Sequence, residues 1–236
     1  MARTRHYDAA AFPSPLLESS MTKLKLIALA LALAPATAFA TDGPGFAFTG
    51  GYGSLEGGGN PLVGVPLEMP GPLATIDSDD SDSVWSLSAS WFINKHWAVE
   101  LWTSQGAEHH VHIDPEFAPD IRVAEYSTAP VSLMAQYHFG GMGRFTPFVG
   151  AGWHWTNVSG VRTNVAYDEV TGLKLSSDNG FAAVAGLDYA IADGWFARGD
   201  VRWMDSSMDV TTLSNPMSRT VKSDKTYYGV SIGYRF

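Results

Sequence analysis

Arg198, Asp200 and Arg202 are three charges set two residues apart. In a strand, that spacing puts all three side chains on one face, where they can pair with carboxylates such as Glu100 and Asp188 from other strands. Arg235, next to the end of the sequence, is a further cation able to join them. A second group is His154-Trp155-Thr156, in which an imidazole two residues from a hydroxyl could act as general base for a nucleophile. A third is His109-His110-Val111-His112-Ile113-Asp114, where His110, His112 and Asp114 alternate and offer nitrogen and carboxylate ligands to a metal. The acidic run of Asp77, Asp79, Asp80 and Asp82 could hold Ca²⁺ weakly, but it lacks the Gly and Glu spacing of an EF-hand loop. Each group has an inert alternative: filling of an interior by paired charges, or a solvated loop.

These residues can cooperate only if strands hold them. Residues 226–236 set the pattern, with Thr226, Tyr228, Val230, Ile232, Tyr234 and Phe236 on one parity and Tyr227, Gly229, Ser231, Gly233 and Arg235 on the other. Alternation over about ten residues matches a membrane-spanning strand with an apolar outside and a polar inside. Seven earlier segments repeat it: 45–55, 83–92, 97–104, 129–139, 145–157, 181–189 and 195–204. Glu100 falls on the polar face of the third strand, Asp188 on that of the sixth, and the Arg198–Arg202 charges on that of the seventh. The segments 56–82, 105–128, 158–177 and 205–225 read as long loops, and the connections between them are tight. Long loops on one rim and short turns on the other are the habit of outer-membrane barrels, whereas an ordinary domain rarely needs four such loops.

Residues 21–40 read as a secretory signal. Lys23 and Lys25 precede an apolar run from Leu26 to Ala34, and Ala38-Phe39-Ala40 is an A-x-A cleavage site. The run is too short for a membrane helix and is broken by Pro35. Residues 1–20 carry no usable pattern and stand as an extension or a mis-assigned start, leaving 41–236 as one barrel domain. Residues 1–40 hold Arg3, Arg5, Lys23 and Lys25 against Asp8 and Glu18, so their removal takes the net charge from −9 to −11. So acidic a chain argues against nucleic acid as a partner. Cysteine is absent, which excludes disulfides and thiolate chemistry, and no cofactor is expected.

Parity alone leaves the apolar face turned either to lipid or to a core. A secreted lipocalin-type barrel is the rival, since it also winds eight strands up and down, but around an apolar ligand. Three features favour lipid. The polar face is rich in Gly and Ser, which suit a narrow lumen. Seven of the eight tryptophans lie on the apolar face: Trp91, Trp97 and Trp195 near the tight turns, and Trp85, Trp153, Trp155 and Trp203 near the long loops. Two aromatic belts belong at two membrane interfaces and have no purpose in a soluble core. Finally, the sequence ends on the aromatic Phe236. Slipping the seventh strand by one residue would turn Arg198 and Arg202 to lipid, at about 2–4 kcal/mol for an arginine near the midplane. The expected fold is therefore all-β: an eight-stranded antiparallel up-and-down transmembrane β-barrel with short periplasmic turns and long extracellular loops. Because an unpaired buried charge is costly, Glu100, Asp188, Arg198, Asp200, Arg202 and Arg235 are expected to form one ionic network in its lumen.

The segments Trp97-Ala98-Val99-Glu100-Leu101, Ala129-Pro130-Val131-Ser132-Leu133 and Gln136-Tyr137-His138-Phe139 carry a resemblance to a known family. Pro147-Phe148-Val149-Gly150-Ala151-Gly152, Ala185-Gly186-Leu187-Asp188-Tyr189 and Gly233-Tyr234-Arg235-Phe236 continue it. In this order they resemble the OmpW family of small outer-membrane barrels, over nearly all of 41–236, with a divergent first loop. The resemblance implies an outer-membrane location and a narrow hydrophobic channel, open to the outside, that helps small apolar molecules enter. A bilayer with lipopolysaccharide would be one partner, and the assembly machinery that reads a terminal aromatic another. Trp102, Ala182, Val184, Met204 and Tyr227, on the lumen face near the long-loop rim, can form an apolar funnel above the ionic network, or can simply fill a small barrel. His154 and Thr156 faintly resemble the His-x-Ser of lipid A deacylase barrels. Here they face the lumen while lipid lies outside, and threonine substitutes poorly for serine, so no enzyme is expected. A structural or adhesive role for the loops is the alternative to transport.

Overall fold

The computed structural model describes residues 44–57, 74–78, 81–115, 121–140, 142–163, 174–211 and 219–236. The extension at 1–20, the signal at 21–40 and most of the acidic run at 77–82 lie outside the described residues or side chains. Strands β1 (Gly45–Glu56), β2 (Ala74–Ser78), β3 (Ser81–Phe92), β4 (Trp97–Ser104), β5 (Ala107–Pro115) and β6 (Ile121–His138) come first. They are followed by β7 (Phe145–Thr163), β8 (Lys174–Leu175), β9 (Asp178–Ala192), β10 (Trp195–Met204), β11 (Ser207–Thr211), β12 (Arg219–Lys222) and β13 (Lys225–Arg235).

Eight of these close a barrel. Antiparallel ladders run from β1 to β3, β4, β6, β7, β9, β10 and β13, and β13 pairs back onto β1 from Ala47↔Arg235 to Glu56↔Thr226. Closure leaves no unpaired edge in the wall, which a sheet must achieve before it can sit in hydrocarbon. Strand β10 shows which side is which. Trp195 and Trp203 are 50% and 40% exposed, while Arg198 and Arg202 on the opposite parity are 2% and 1% exposed. A water-soluble barrel would bury the first pair and solvate the second. Trp102 alone among the tryptophans turns inward, as its parity predicts.

The outward aromatics pair within two belts. Trp97 and Trp195 meet Tyr137 and Tyr234 edge-on, each at 5.1 Å, and Phe145 lies 5.0 Å from Tyr189 at the same rim. At the other rim Tyr52 meets Trp85 at 5.1 Å and Phe181 approaches Trp203 at 6.3 Å. The first rim is made of tight turns. In one, the Asn94 side-chain oxygen accepts the backbone N–H groups of His96 and Trp97 at 2.8 and 2.9 Å. In another, Gly194 takes φ +76°, a conformation that side chains disfavour.

The far rim differs from the expectation of long loops. Strands β6 and β7 run for 18 and 19 residues, although about 9–11 suffice to cross the hydrocarbon, so their outer halves stand above the membrane. There β5 pairs with β6 from Ala107↔Thr128 onward, β2 pairs with β5, and β8, β11 and β12 make a separate three-stranded sheet. Much of 105–128, and parts of 56–82, 158–177 and 205–225, are therefore strand. The reason lies in the inward face, where His109 and Thr128 are buried beside Ala107, Val111, Ala124 and Tyr126. His109 donates to or accepts from Thr128 Oγ1 at 2.9 Å and stacks on Tyr126, so polar residues sit where a search for apolar alternation finds nothing.

Candidate functional site

The barrel places Glu100 on β4, Asp188 on β9 and Arg198, Asp200 and Arg202 on β10, all turned into the lumen. Arg198 is the cross-strand neighbour of Asp188, which it holds through two parallel bonds, Nε to Oδ1 at 2.6 Å and Nη2 to Oδ2 at 2.9 Å. Its third nitrogen, Nη1, reaches across the lumen to Glu100 Oε1 at 2.8 Å. Arg202 donates through Nη1 to the other Glu100 oxygen and through Nε to Asp200 Oδ2, both at 2.6 Å. Glu100, fully buried, therefore bridges two guanidiniums. Such charge-assisted, partly bidentate bonds are the strong kind, and burial shields them from salt.

Aromatic faces flank the guanidiniums. The Arg198 guanidinium lies 4.4 Å from the Phe148 ring centre, and that of Arg202 lies 4.8 Å from Trp102. Nearer the short turns, Arg235 lies over Phe92 at 3.8 Å. The six charged residues named from the sequence are three carboxylates and three guanidiniums, so their formal charges cancel.

Gln136 and His138 are additional members. Gln136 Nε2 donates to Glu100 at 2.8 Å, and His138 Nε2 donates to the Gln136 carbonyl at 3.2 Å, with His138 Nδ1 3.7 Å from Asp188. Both share the lumen parity of their strand, which was the available signal. A neutral polar residue draws less notice there than a charge.

Trp102, Ala182, Val184, Met204 and Tyr227 are all buried in one cluster with Leu55, Val84, Ala107, Met134 and Phe148; Trp102, Ala182 and Met204 lie on the long-loop side of the charges, Val184 and Tyr227 are level with Arg202, and Met134 is level with Glu100. Trp102 and Tyr227 pack at 5.0 Å, and the Tyr227 hydroxyl reaches over β1 to Ser86 Oγ on β3 at 2.8 Å. Tyr227 lies flat because residue 229 is glycine; a Cβ there would overlap its ring. The cluster overlaps the ionic network at Arg202 and extends beyond it toward the long loops.

The remaining candidates are His154 with Thr156, which meet, and the histidines of β5, which among the described residues do not converge. His154 Nε2 donates to the Asp205 carbonyl at 2.8 Å, and its Nδ1 lies 3.2 Å from Thr156 Oγ1, with both side chains buried away from lipid. His109 and His110 lie on opposite faces of β5, and the side chains of His112 and Asp114 lie outside the described residues. Among the described residues no three His, Asp or Glu side chains converge on a metal position.

A closed eight-stranded sheet with two outward aromatic belts and a charge-filled lumen defines a small outer-membrane β-barrel. The OmpW family model matches residues 73–236, and the chain belongs to the OmpW family. It is 30% identical over 122 residues to outer membrane protein W of Vibrio cholerae, a match spanning 48% of this chain and 55% of that protein. It is 25% identical over 168 residues to outer membrane protein AlkL of Ectopseudomonas oleovorans, covering 69% of this chain and 70% of that one. Its fold is similar to the crystal structure of outer membrane protein OprG from Pseudomonas aeruginosa, with TM-score 0.61, 21% identity and coverage of 83% and 97% of the two chains. This is an outer-membrane protein.

Proposed function

We propose that the barrel takes small hydrophobic molecules into the outer half of its lumen and assists their passage into the membrane. The observation that carries this reading is the layering: Trp102, Ala182 and Met204, one step farther along their strands than Glu100, Val184 and Arg202, lie on the extracellular side of the Glu100–Arg198 bridge, with Tyr227 level with Arg202. Polar solutes would meet a chamber that offers them few partners, and ions would meet a sealed one. Methionines suit such a chamber, because unbranched thioethers repack around varied apolar shapes. The resemblance to the family supports the same use.

The plug closes the straight route to the periplasm, and the wall beside the chamber offers another. Pairing of β4 with β6 stops at Thr103↔Val131 and resumes between β5 and β6 at Ala107↔Thr128. Pro130, in the interval, has no N–H to give the ladder. A molecule leaving Trp102 through this interval would enter the bilayer directly. Residues 21–40 would direct export and be removed, Phe236 would be read by the assembly machinery, and lipopolysaccharide would surround the outer belt. This reading assigns no catalysis. A lipid A mass spectrum unchanged by expression of the protein is the expected result.

Replacing Trp102 and Met204 with aspartate is expected to lower uptake of a neutral apolar probe by a deletion strain at least about tenfold, because each puts a carboxylate, within reach of Arg202 or Lys225, where the probe would lie. Folding of the double variant is checked by its heat-modifiable gel mobility. Undiminished uptake by a folded variant would remove the chamber from the route. A second reading, a structural or adhesive protein, draws on the sheet that β5, β6 and β7 carry above the membrane. It gains if loop deletion abolishes surface binding while probe uptake survives.

A further inference from the structure

Over the apolar chamber sits a buried ammonium that the plug does not use. Lys225 is the cross-strand neighbour of Met204 and lies two residues before Tyr227, above the Trp203↔Thr226 pair of the outer belt. It is 1% exposed. Its Nζ donates to Ser206 Oγ at 2.9 Å, to the Ser223 carbonyl at 3.2 Å and to Ser223 Oγ at 3.3 Å. All three acceptors are neutral. Arg198 and Arg202, by contrast, each touch two carboxylates.

The carboxylates facing Lys225 are otherwise engaged. Asp178 of β9 accepts bonds from the Ser206 hydroxyl and the Ser207 N–H, and Asp224 accepts the Ser206 N–H at 3.2 Å. His154 of β7 donates to the backbone of Asp205 close by. Among the described residues no carboxylate comes within ion-pair distance of Lys225. Burial accordingly pushes its amine down to about 8, with Asp178 and Asp224 drawing it partly back. A buried cation without a counter-charge destabilises the fold, and methionine in its place would not.

The ammonium also lies at a seam. Strands β10 and β13 both leave regular pairing beside it, at 205–206 and 223–224, and Ser223 N–H to the Ser206 carbonyl at 2.8 Å joins the two breaks. A molecule coming from outside would reach Lys225 and the apolar cluster by parting this seam, since Lys225, Ser206 and Ser223 are all buried.

We propose that Lys225 is the head-group site for anionic amphiphiles, molecules with one acidic group and a small apolar tail, the acid pairing with the ammonium and the tail displacing Met204 beside Trp102 and Tyr227. The inference rests on the reading under Proposed function and names the class of solute the chamber prefers. No bond is made or broken. The missing counter-charge is supplied by the ligand.

The test is calorimetric titration of the full-length protein in lipid nanodiscs with octanesulfonate and with octanol, after subtraction of empty discs. Octanesulfonate is expected to bind about tenfold or more tightly than octanol, the worth of a charge-assisted bond to a buried partner. Lys225→Met should erase that preference and keep octanol binding, whereas Lys225→Arg should retain the preference. Raising the pH from about 7 to about 9 should erase it as well, because the sulfonate keeps its charge while the Lys225 amine loses its own. Equal binding of the two probes by the wild type, or a preference that survives Lys225→Met, overturns the proposal. If Lys225→Met does not fold, the wild-type ratio and its pH dependence decide alone. Binding of octanol without any gain for octanesulfonate leaves the apolar chamber intact and removes only Lys225. Binding of neither removes both.

Discussion

Replacing Glu100 with alanine is expected to destabilise the folded barrel by about 3–5 kcal/mol, the cost of breaking a buried ion pair by removing one partner. Glu100 is fully buried and accepts from Arg198, Arg202 and Gln136. Its loss leaves the lumen with two carboxylates among the named charges against three guanidiniums, in a place where water cannot compensate. The double variant Glu100→Met with Arg202→Met removes a charge of each sign and should recover part of the loss, since apolar replacement of a buried pair is close to neutral while Asp200 loses its Arg202 partner. Urea midpoints for folding into lipid vesicles measure both effects. If Glu100→Ala shifts the midpoint no more than an exposed substitution does, the charges are not acting as a coupled plug. The double variant separates the stabilising role of this plug from its sealing role, because it restores charge balance without restoring the cross-lumen bridges.

Val230→Arg is expected to cost about 2–4 kcal/mol, and the reason is external to the protein. Val230 is 68% exposed, midway along β13 between the outer-belt Tyr228 and the inner-belt Tyr234. On a protein surrounded by water, a substitution at so open a position would fall within about 0.5 kcal/mol of neutral. In hydrocarbon the guanidinium has nothing to bond to. Thr226→Arg, on the same face but at the outer rim, should cost no more than about 1 kcal/mol, because its charge can reach the interface. A Val230→Arg cost equal to that of Thr226→Arg in refolding titrations would mean that this face does not meet lipid.

How far the sequence alone can be read depends on what each environment forbids. In the membrane segments, a one-residue slip of 195–204 would expose Arg198 and Arg202 to lipid, so parity leaves one register and the facing partners Glu100 and Asp188 follow from it. Above the membrane nothing enforces that rule. The inner face of β5 and β6 accepts His109 and Thr128 beside Ala107 and Val111, because they satisfy each other, and the strands there are invisible to a search for apolar alternation. Gln136 and His138 were missed for a related reason, as an uncharged polar residue is tolerated in many places. The partial charge balance around Lys225 was not legible at all: it depends on the breaks at 205–206 and 223–224, which bring Ser206 and Ser223 to the amine from separate strands.

An apolar cluster toward the outside and a charge cluster beneath it together make the barrel a route for apolar and not for polar solutes. The most direct test of this selectivity is flux into proteoliposomes carrying the purified protein, for a series of neutral solutes of matched size and graded polarity. The protein should accelerate entry increasingly as the solutes become more apolar, and should leave sugars excluded. Faster entry of the sugars than of the apolar members would show an aqueous pore through the position of Glu100, and would contradict it.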